Sequence, residues 1–252
     1  MKREIREVDS DRGIVQITTQ DERWYSRRIN VNTAWDFVPS VTWICDSYPK
    51  GEGFYRWLAS KGWDQAEAIR MAAGEKGSKV HQAIGRLIEG GTVLMDDAFE
   101  NPRTLVPEPV TPAEYECLMS FVEWFHETKP EVIASEYTVW NEQKRYAGTV
   151  DLKCRIKGKL WLIDFKTSAD IWPAHELQVS AYKHADVNRR TLKIGILQVG
   201  YRRNKTKKWK FTEVKDQWPL FLAARKIWGK ETEGQKPLQR EYPLSLSLSE
   251  VL

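Results

Sequence analysis

The sequence predicts an α/β fold: a central mixed β-sheet flanked by helices and preceded by a helical N-terminal region. Two patterns predict it. Strand-like runs follow one another over residues 132–140, 146–156 and 160–167, and a helix, two more strands and a last helix come after them. Ahead of them, apolar residues recur at helical spacing between residues 52 and 88. A chain of 252 residues can bury a sizeable core, as one elaborated domain or two small ones.

Each element has its own signal. Residues 14–29 alternate loosely and suggest a small hairpin, and "FVPSVTWICDSYPKG" reads as a loop leading into helical territory. From Glu52 to Ala73, residues such as Phe54, Trp57, Leu58, Ala66 and Ile69 suggest one or two amphipathic helices. In "GEKGSKVHQAIGRLIEGG", Val80, Ile84, Leu87 and Ile88 are helically spaced, and Gly90–Gly91 is a stop signal. "NPRTLVPEPVTP" holds four prolines and reads as a rigid loop, the best linker in the chain. The predicted organisation is therefore a hairpin and helical region over 1–112, a core over 113–235 and a tail over 236–252. Thr111 and Pro112 open a helix that ends before Pro130. "WPAHELQVSAYKHAD" is helical, strands follow at 192–200 and 209–214, and "QWPLFLAARKIWGKE" is a late helix. The tail "PLSLSLSEVL" alternates with period two, as an edge strand or a disordered partner-binding tail would.

Composition excludes several classes. The chain is 41% hydrophobic and 29% charged, and no apolar run approaches the roughly 18 residues of a membrane helix. The opening "MKREIREVDSDRG" is charged throughout, unlike a secretory signal. Cys45, Cys117 and Cys154 form no CxxC pair and are too few for a four-cysteine zinc or iron–sulfur site. A reducing cytoplasm is the expected location. The net charge of +4 is concentrated: residues 183–215 carry eleven lysines and arginines, Lys205, Lys207 and Lys208 among them. Such a stretch is either a solvated basic face or a phosphate-backbone track. Of the twelve tryptophans, most read as core, and some could stack on bases.

Chemistry concentrates in "YAGTVDLKCRIKGKLWLIDFKTS". Strict alternation puts Gly148, Val150, Leu152, Cys154 and Ile156 on one side of their strand and Asp151 on the other. In the next strand Asp164 and Lys166 share a side, opposite Trp161, Ile163, Phe165 and Thr167. A two-residue turn at Lys157–Gly158 sets Asp151 opposite Asp164, and one at Gly158–Lys159 sets it opposite Lys166. Either register gathers two carboxylates and a lysine. A salt-bridge cluster on a solvated face would look the same, but carboxylates this close repel, and a hard divalent cation would relieve them. Gln178 and Tyr182 lie four apart on the following helix, Glu136 on the preceding strand and His81 in the earlier helix.

Together, "GSKVHQAI", "AGTVDL", "LIDFKTS" and "ELQVSAY" resemble, in order and spacing, the motifs of the PD-(D/E)XK nuclease superfamily, in its RecB-like exonuclease branch. "VPSVTWI" is similar to the opening segment of phage and mitochondrial exonucleases of this type, and the resemblance covers about residues 39–201. It implies a restriction-endonuclease-like core and a Mg2+- or Mn2+-dependent DNA exonuclease of phage or bacterial recombination, repair or replication. A structure-specific endonuclease or a non-cleaving DNA-binding relative on the same core is the alternative. It implies metal ligation by Asp151, Asp164, the Phe165 carbonyl and His81. Lys166 would position the attacking water, Gln178 and Tyr182 would bound the site, and Glu136 would bind a second metal or orient a water. Ser40, Thr42, Lys205, Lys207 and Lys208 are the expected DNA contacts. The partners implied are DNA, a single-strand annealing or replication protein and further copies of the chain, with no membrane and no iron–sulfur cluster.

Overall fold

The computed structural model describes residues 4–18, 22–28, 35–204 and 206–237. The chain opens with four strands, β1 (Glu4–Asp9), β2 (Ile14–Thr18), β3 (Arg23–Arg28) and β4 (Trp35–Pro39), paired antiparallel in sequence order. The small hairpin expected over 14–29 is thus the middle of a four-stranded sheet, and the N-terminal region is not purely helical. Charged residues hide β1 from a hydrophobicity pattern: its sequence, EIREVD, is mostly charged.

Ser40 caps α1 (Val41–Asp46) by accepting the Trp43 amide at 3.1 Å. After α1 come α2 (Glu52–Lys61) and α3 (Trp63–Ile88). The helical signals read separately over 52–73 and around Val80–Ile88 belong in part to one helix, since α3 runs through Gly74 and Gly77 for 26 residues. Glycine's conformational freedom costs helix stability, and packing of the C-terminal half, with Val80, Ala83 and Ile84 buried, offsets it. α2 buries no residue.

The proline-rich segment expected to be a linker is instead half of a hairpin. β5 (Ala98–Glu100) pairs with β6 (Pro107–Pro109), and buried Asn101 donates to Glu108 at 2.9 Å. Buried Lys79 of α3 lies 3.1 Å from buried Glu114 of the next helix, α4 (Pro112–Thr128), and donates to the Pro109 carbonyl of the hairpin at 3.4 Å. Thr111 and Glu114 form the reciprocal capping box that opens α4.

The remaining elements build the central sheet: β7 (Glu131–Asn141), β8 (Tyr146–Ile156), β9 (Lys159–Lys166), α5 (Pro173–Ala185), β10 (Lys193–Val199), β11 (Trp209–Glu213) and α6 (Trp218–Glu231). The order is β11-β10-β9-β8-β7, parallel between β9 and β10 and antiparallel elsewhere, so the sheet is mixed as expected. One face packs Val80 and Ile84 of α3 and Leu118, Phe121 and Trp124 of α4 against Leu152, Cys154, Ile163 and Phe165. The other face packs Ile44 of α1, Leu177 and Ala181 of α5 and Phe221 of α6 against Tyr146, Val150 and Leu162. Trp24, Trp43 and Trp228 meet edge to face, with centroids 5.0–5.9 Å apart, and join the N-terminal sheet to α1 and α6. No helix among the described residues is long and apolar enough to cross a membrane.

Candidate metal and phosphate site

The β8–β9 hairpin closes through Lys157 (φ 49°) and Gly158 (φ 76°), the left-handed pair of a type I′ turn. Ile156 faces Lys159 and Leu152 faces Ile163, the first of the two registers the sequence allows. The ladder stops at that last pair, and Asp151 and Asp164 are the next residues on each strand. Two strands parting here free their backbone for other partners: the Phe165 amide donates to Asp151 Oδ2 at 2.6 Å.

One alternation expected from the sequence fails in β8. Tyr146 donates to the Ala181 carbonyl and Gly148 lies under Tyr182, so the first half of the strand faces α5. Leu152, Cys154 and Ile156, of the same parity, pack instead with α3 and α4. The switch occurs at Asp151, where the β9 ladder has ended and the opposing Glu136 of β7 has φ 47°, outside strand geometry. Asp151 thereby reaches toward α3 while Asp164 faces α5.

Two connected clusters result. In the first, His81 of α3 places Nδ1 3.3 Å from Asp151 Oδ1 and Nε2 3.0 Å from the Phe165 carbonyl oxygen. Ligand atoms of His81, Glu136 and Asp151 all lie within 4.8 Å of one another. α3 crosses the strands closely here, because a Cβ built on Gly85 would sit 3.9 Å from Glu136 Cγ. In the second cluster, Gln178 of α5 donates to Asp164 Oδ1 at 3.0 Å and to the Tyr182 hydroxyl at 2.9 Å, and accepts from Lys166 Nζ at 3.2 Å. Lys166 Nζ lies 2.6 Å from Asp164 Oδ2 but off the hydrogen-bonding direction. That buried oxygen therefore has an ion-pair partner and no well-directed hydrogen bond.

The charges shift one another. Burial pushes the Asp164 carboxyl up to about 6, Lys166 opposing and Asp151 adding to the rise. Burial also works against ionised Asp151, but the His81 imidazolium, Lys166 and the Phe165 amide hold its carboxyl below the ordinary range. His81 rises to about 9, since Asp151 outweighs the desolvation of the ring. Lys166 stays protonated: the Asp164 and Asp151 charges outweigh its burial and raise its pKa. Glu136 is surface-exposed; local desolvation and repulsion by Asp151 raise its carboxyl above the ordinary range.

Gly148 is fixed by a close approach. A Cβ there would lie 2.5 Å from Tyr182 Cε1 and 3.3 Å from Val41 Cγ2. Gly148→Ala is expected to lower stability by about 1–3 kcal/mol and to displace Tyr182 from Gln178. Denaturant titration reads the first effect, and unchanged stability would overturn the packing account.

The predicted nucleic-acid contacts fare unevenly. Ser40 is 1% exposed and its hydroxyl caps α1. Thr42 is half-buried and bonded to Ser40 at 3.0 Å. Lys207 pairs with Glu127 and lies over the Trp209 ring, Lys208 is exposed, and Lys205 lies outside the described residues, as does the tail from 238. Much of the basic stretch is neutralised locally, with Lys183 on Asp216, Lys193 on Glu213, Arg202 on Glu116 and Arg203 on Asp170.

Trp172 and His175 carry no weight in the sequence reading. They precede Gln178 by six and three residues, so Trp172, His175, Gln178 and Tyr182 line one side of α5 and its N-terminal cap. No protein-family model matches the chain, and a search of characterised proteins finds no match.

Proposed function

We propose that the chain is a Mg2+- or Mn2+-dependent DNA exonuclease, with the restriction-endonuclease-like core of the RecB-like PD-(D/E)XK nucleases. One observation carries the reading. Where β8 and β9 part, Asp151 with His81 and the Phe165 carbonyl on the α3 side adjoins Asp164 and Lys166 with Gln178 and Tyr182 on the α5 side. The site lies toward the C-terminal end of β9, the end at which open α/β sheets bind ligands.

The donor set fits a hard divalent cation. Glu136 and Asp151 offer oxygen and His81 one imidazole nitrogen within 4.8 Å of one another, with the Phe165 carbonyl beside His81; Asp164, in the neighbouring cluster, adds a buried Oδ2 with no directed hydrogen bond. These residues would hold the ion, which when bound supplies charge neutralisation at the phosphate and acidifies a coordinated water. His81 as an imidazolium spans Asp151 and the Phe165 carbonyl, so it must give up a proton before a ring nitrogen can act as a ligand.

In hydrolysis a water oxygen forms a bond to phosphorus, the bond to the departing sugar oxygen breaks, and that oxygen takes a proton. Lys166, protonated and braced by Asp164 and Gln178, presents a fixed positive charge to the phosphate. Glu136, exposed beside Asp151 with its carboxyl raised above the ordinary range, is placed to exchange a proton with water at the site. Gln178 holds Asp164 and Lys166 at once and keeps their separation fixed.

The test is direct. The purified protein with Mg2+ or Mn2+ is expected to degrade linear DNA labelled at either end, to spare closed circular DNA and to stop on chelation. Cutting of the circle would replace exonuclease by endonuclease, and binding without cleavage in either metal would leave a non-cutting DNA-binding protein.

A further inference from the structure

Among the described tryptophans only Trp63 and Trp172 are exposed, at 71% and 58% of their surface. Trp63 sits at the start of α3, on a helix turn with little buried around it. Trp172 differs because everything around it is anchored. Ile171 and Ala174 on either side pack against the core beneath α5. The Trp172 amide donates to His175 Nδ1 at 3.3 Å and its carbonyl accepts the His175 amide at 2.9 Å. The preceding turn is held from the sheet side, where Gln198 donates to the Ser168 carbonyl at 2.9 Å and Arg203 forms a two-point pair with Asp170. An indole with a rigid backbone points into solvent, and little side-chain entropy would be lost on placing a ligand against it.

Its place relative to the site is equally defined. His175 is close enough to Lys166 that burial and the Lys166 and Lys50 charges push its imidazole down to about 3. Gln178, one turn further along α5, contacts Lys166 and Asp164. From Trp172 to Gln178 is six residues, a rise of about 9 Å along the helix. A base attached beside a phosphate at Lys166 can span that separation.

We propose that Trp172 is a base-stacking residue: the nucleotide next to the cleaved bond is unpaired and stacks on its indole. This rests on the nuclease reading and narrows it, because a base flanked by neighbours in a duplex can stack on a side chain only after leaving the stack. The substrate at the moment of cutting is therefore a single strand or a frayed end. Stacking on an aromatic side chain is sequence-tolerant, which suits progressive degradation.

The experiment compares wild type, Trp172→Ala and Trp172→Phe on single-stranded oligonucleotides, intact or carrying an abasic site at successive positions around the cut. The expected result is a KM about tenfold higher for Trp172→Ala, kcat changed much less, and near-wild-type behaviour of Trp172→Phe. An abasic site at one position should raise the wild-type KM similarly and erase the difference between wild type and Trp172→Ala. An unchanged KM in Trp172→Ala, or a defect the same with and without the base, would overturn the stacking role while leaving the nuclease intact. Absence of cleavage by wild type on any DNA would instead remove the nuclease reading itself.

Discussion

Lys166→Ala is expected to lower kcat for DNA hydrolysis by about 10²–10³-fold, with DNA binding weakened far less. Lys166 is half-buried beside acids, and the Asp164 and Asp151 charges hold its ammonium in place despite desolvation. Its pKa is raised, so it serves as a permanent positive charge and not as a base at neutral pH. Such a charge acts on the electron density that builds on the phosphate oxygens as the bond breaks, which is a transition-state effect. The loss should therefore fall on kcat. Lys166→Arg should not restore the rate, because a planar guanidinium cannot occupy the same point between Asp164 Oδ2 and Gln178 Oε1. Single-turnover rates at saturating DNA, beside equilibrium binding, make the comparison. A variant that cuts at the wild-type rate would falsify the assignment of the site.

Much of this site was legible in the sequence because its residues sit on elements with strong periodic signals. β8 has the predicted bounds, α5 starts at the predicted proline, and the Lys157–Gly158 turn fixed one of two registers. The sheet's mixed character followed from strand order, since a helix between β9 and β10 brings them together in parallel. What escaped depends on tertiary contacts. The switch of side at Asp151 arises where neighbouring strands part, and alternation along one strand cannot register it. The continuity of α3 through Gly74 and Gly77 reflects packing that local propensity does not see. Ser40 read as a DNA contact because serine suits both a phosphate and a helix cap, and the cap is a contact that the sequence alone does not single out. The basic stretch read either as a solvated face or as a phosphate track, and the sequence could not show that several of its cations pair with acids from α4, β11 and the turn before α5.

Asp164→Asn is expected to abolish metal-dependent cleavage and, in the presence of a chelator, to stabilise the fold. Asp164 is 1% exposed, and its carboxyl rises from an ordinary value of 3.8 to about 6, chiefly because burial penalises the charge. A folded-state pKa above the unfolded one means that ionisation favours the unfolded chain. Below pH 4 the group is protonated in both states and contributes nothing against folding. The penalty grows between 4 and 6 and is constant above, at about 3 kcal/mol for a shift of this size. Asparagine mimics the neutral acid and still accepts from Gln178 Nε2, which lies 3.0 Å from Asp164 Oδ1. The gain in unfolding free energy should thus be largest at pH 7–8 and shrink to nothing as the pH falls through 6 toward 4. Added Mg2+ or Mn2+ should stabilise wild type more than the variant, because a ligand that binds only the folded state adds stability according to its affinity, and the variant has lost a ligating oxygen. Urea titrations with and without metal across this pH range test both halves. A variant less stable than wild type at every pH would make the Asp164 carboxylate a structural anchor. A gain that follows the stated pH course and narrows when metal is added would mark Asp164 as a charge held buried for the ion.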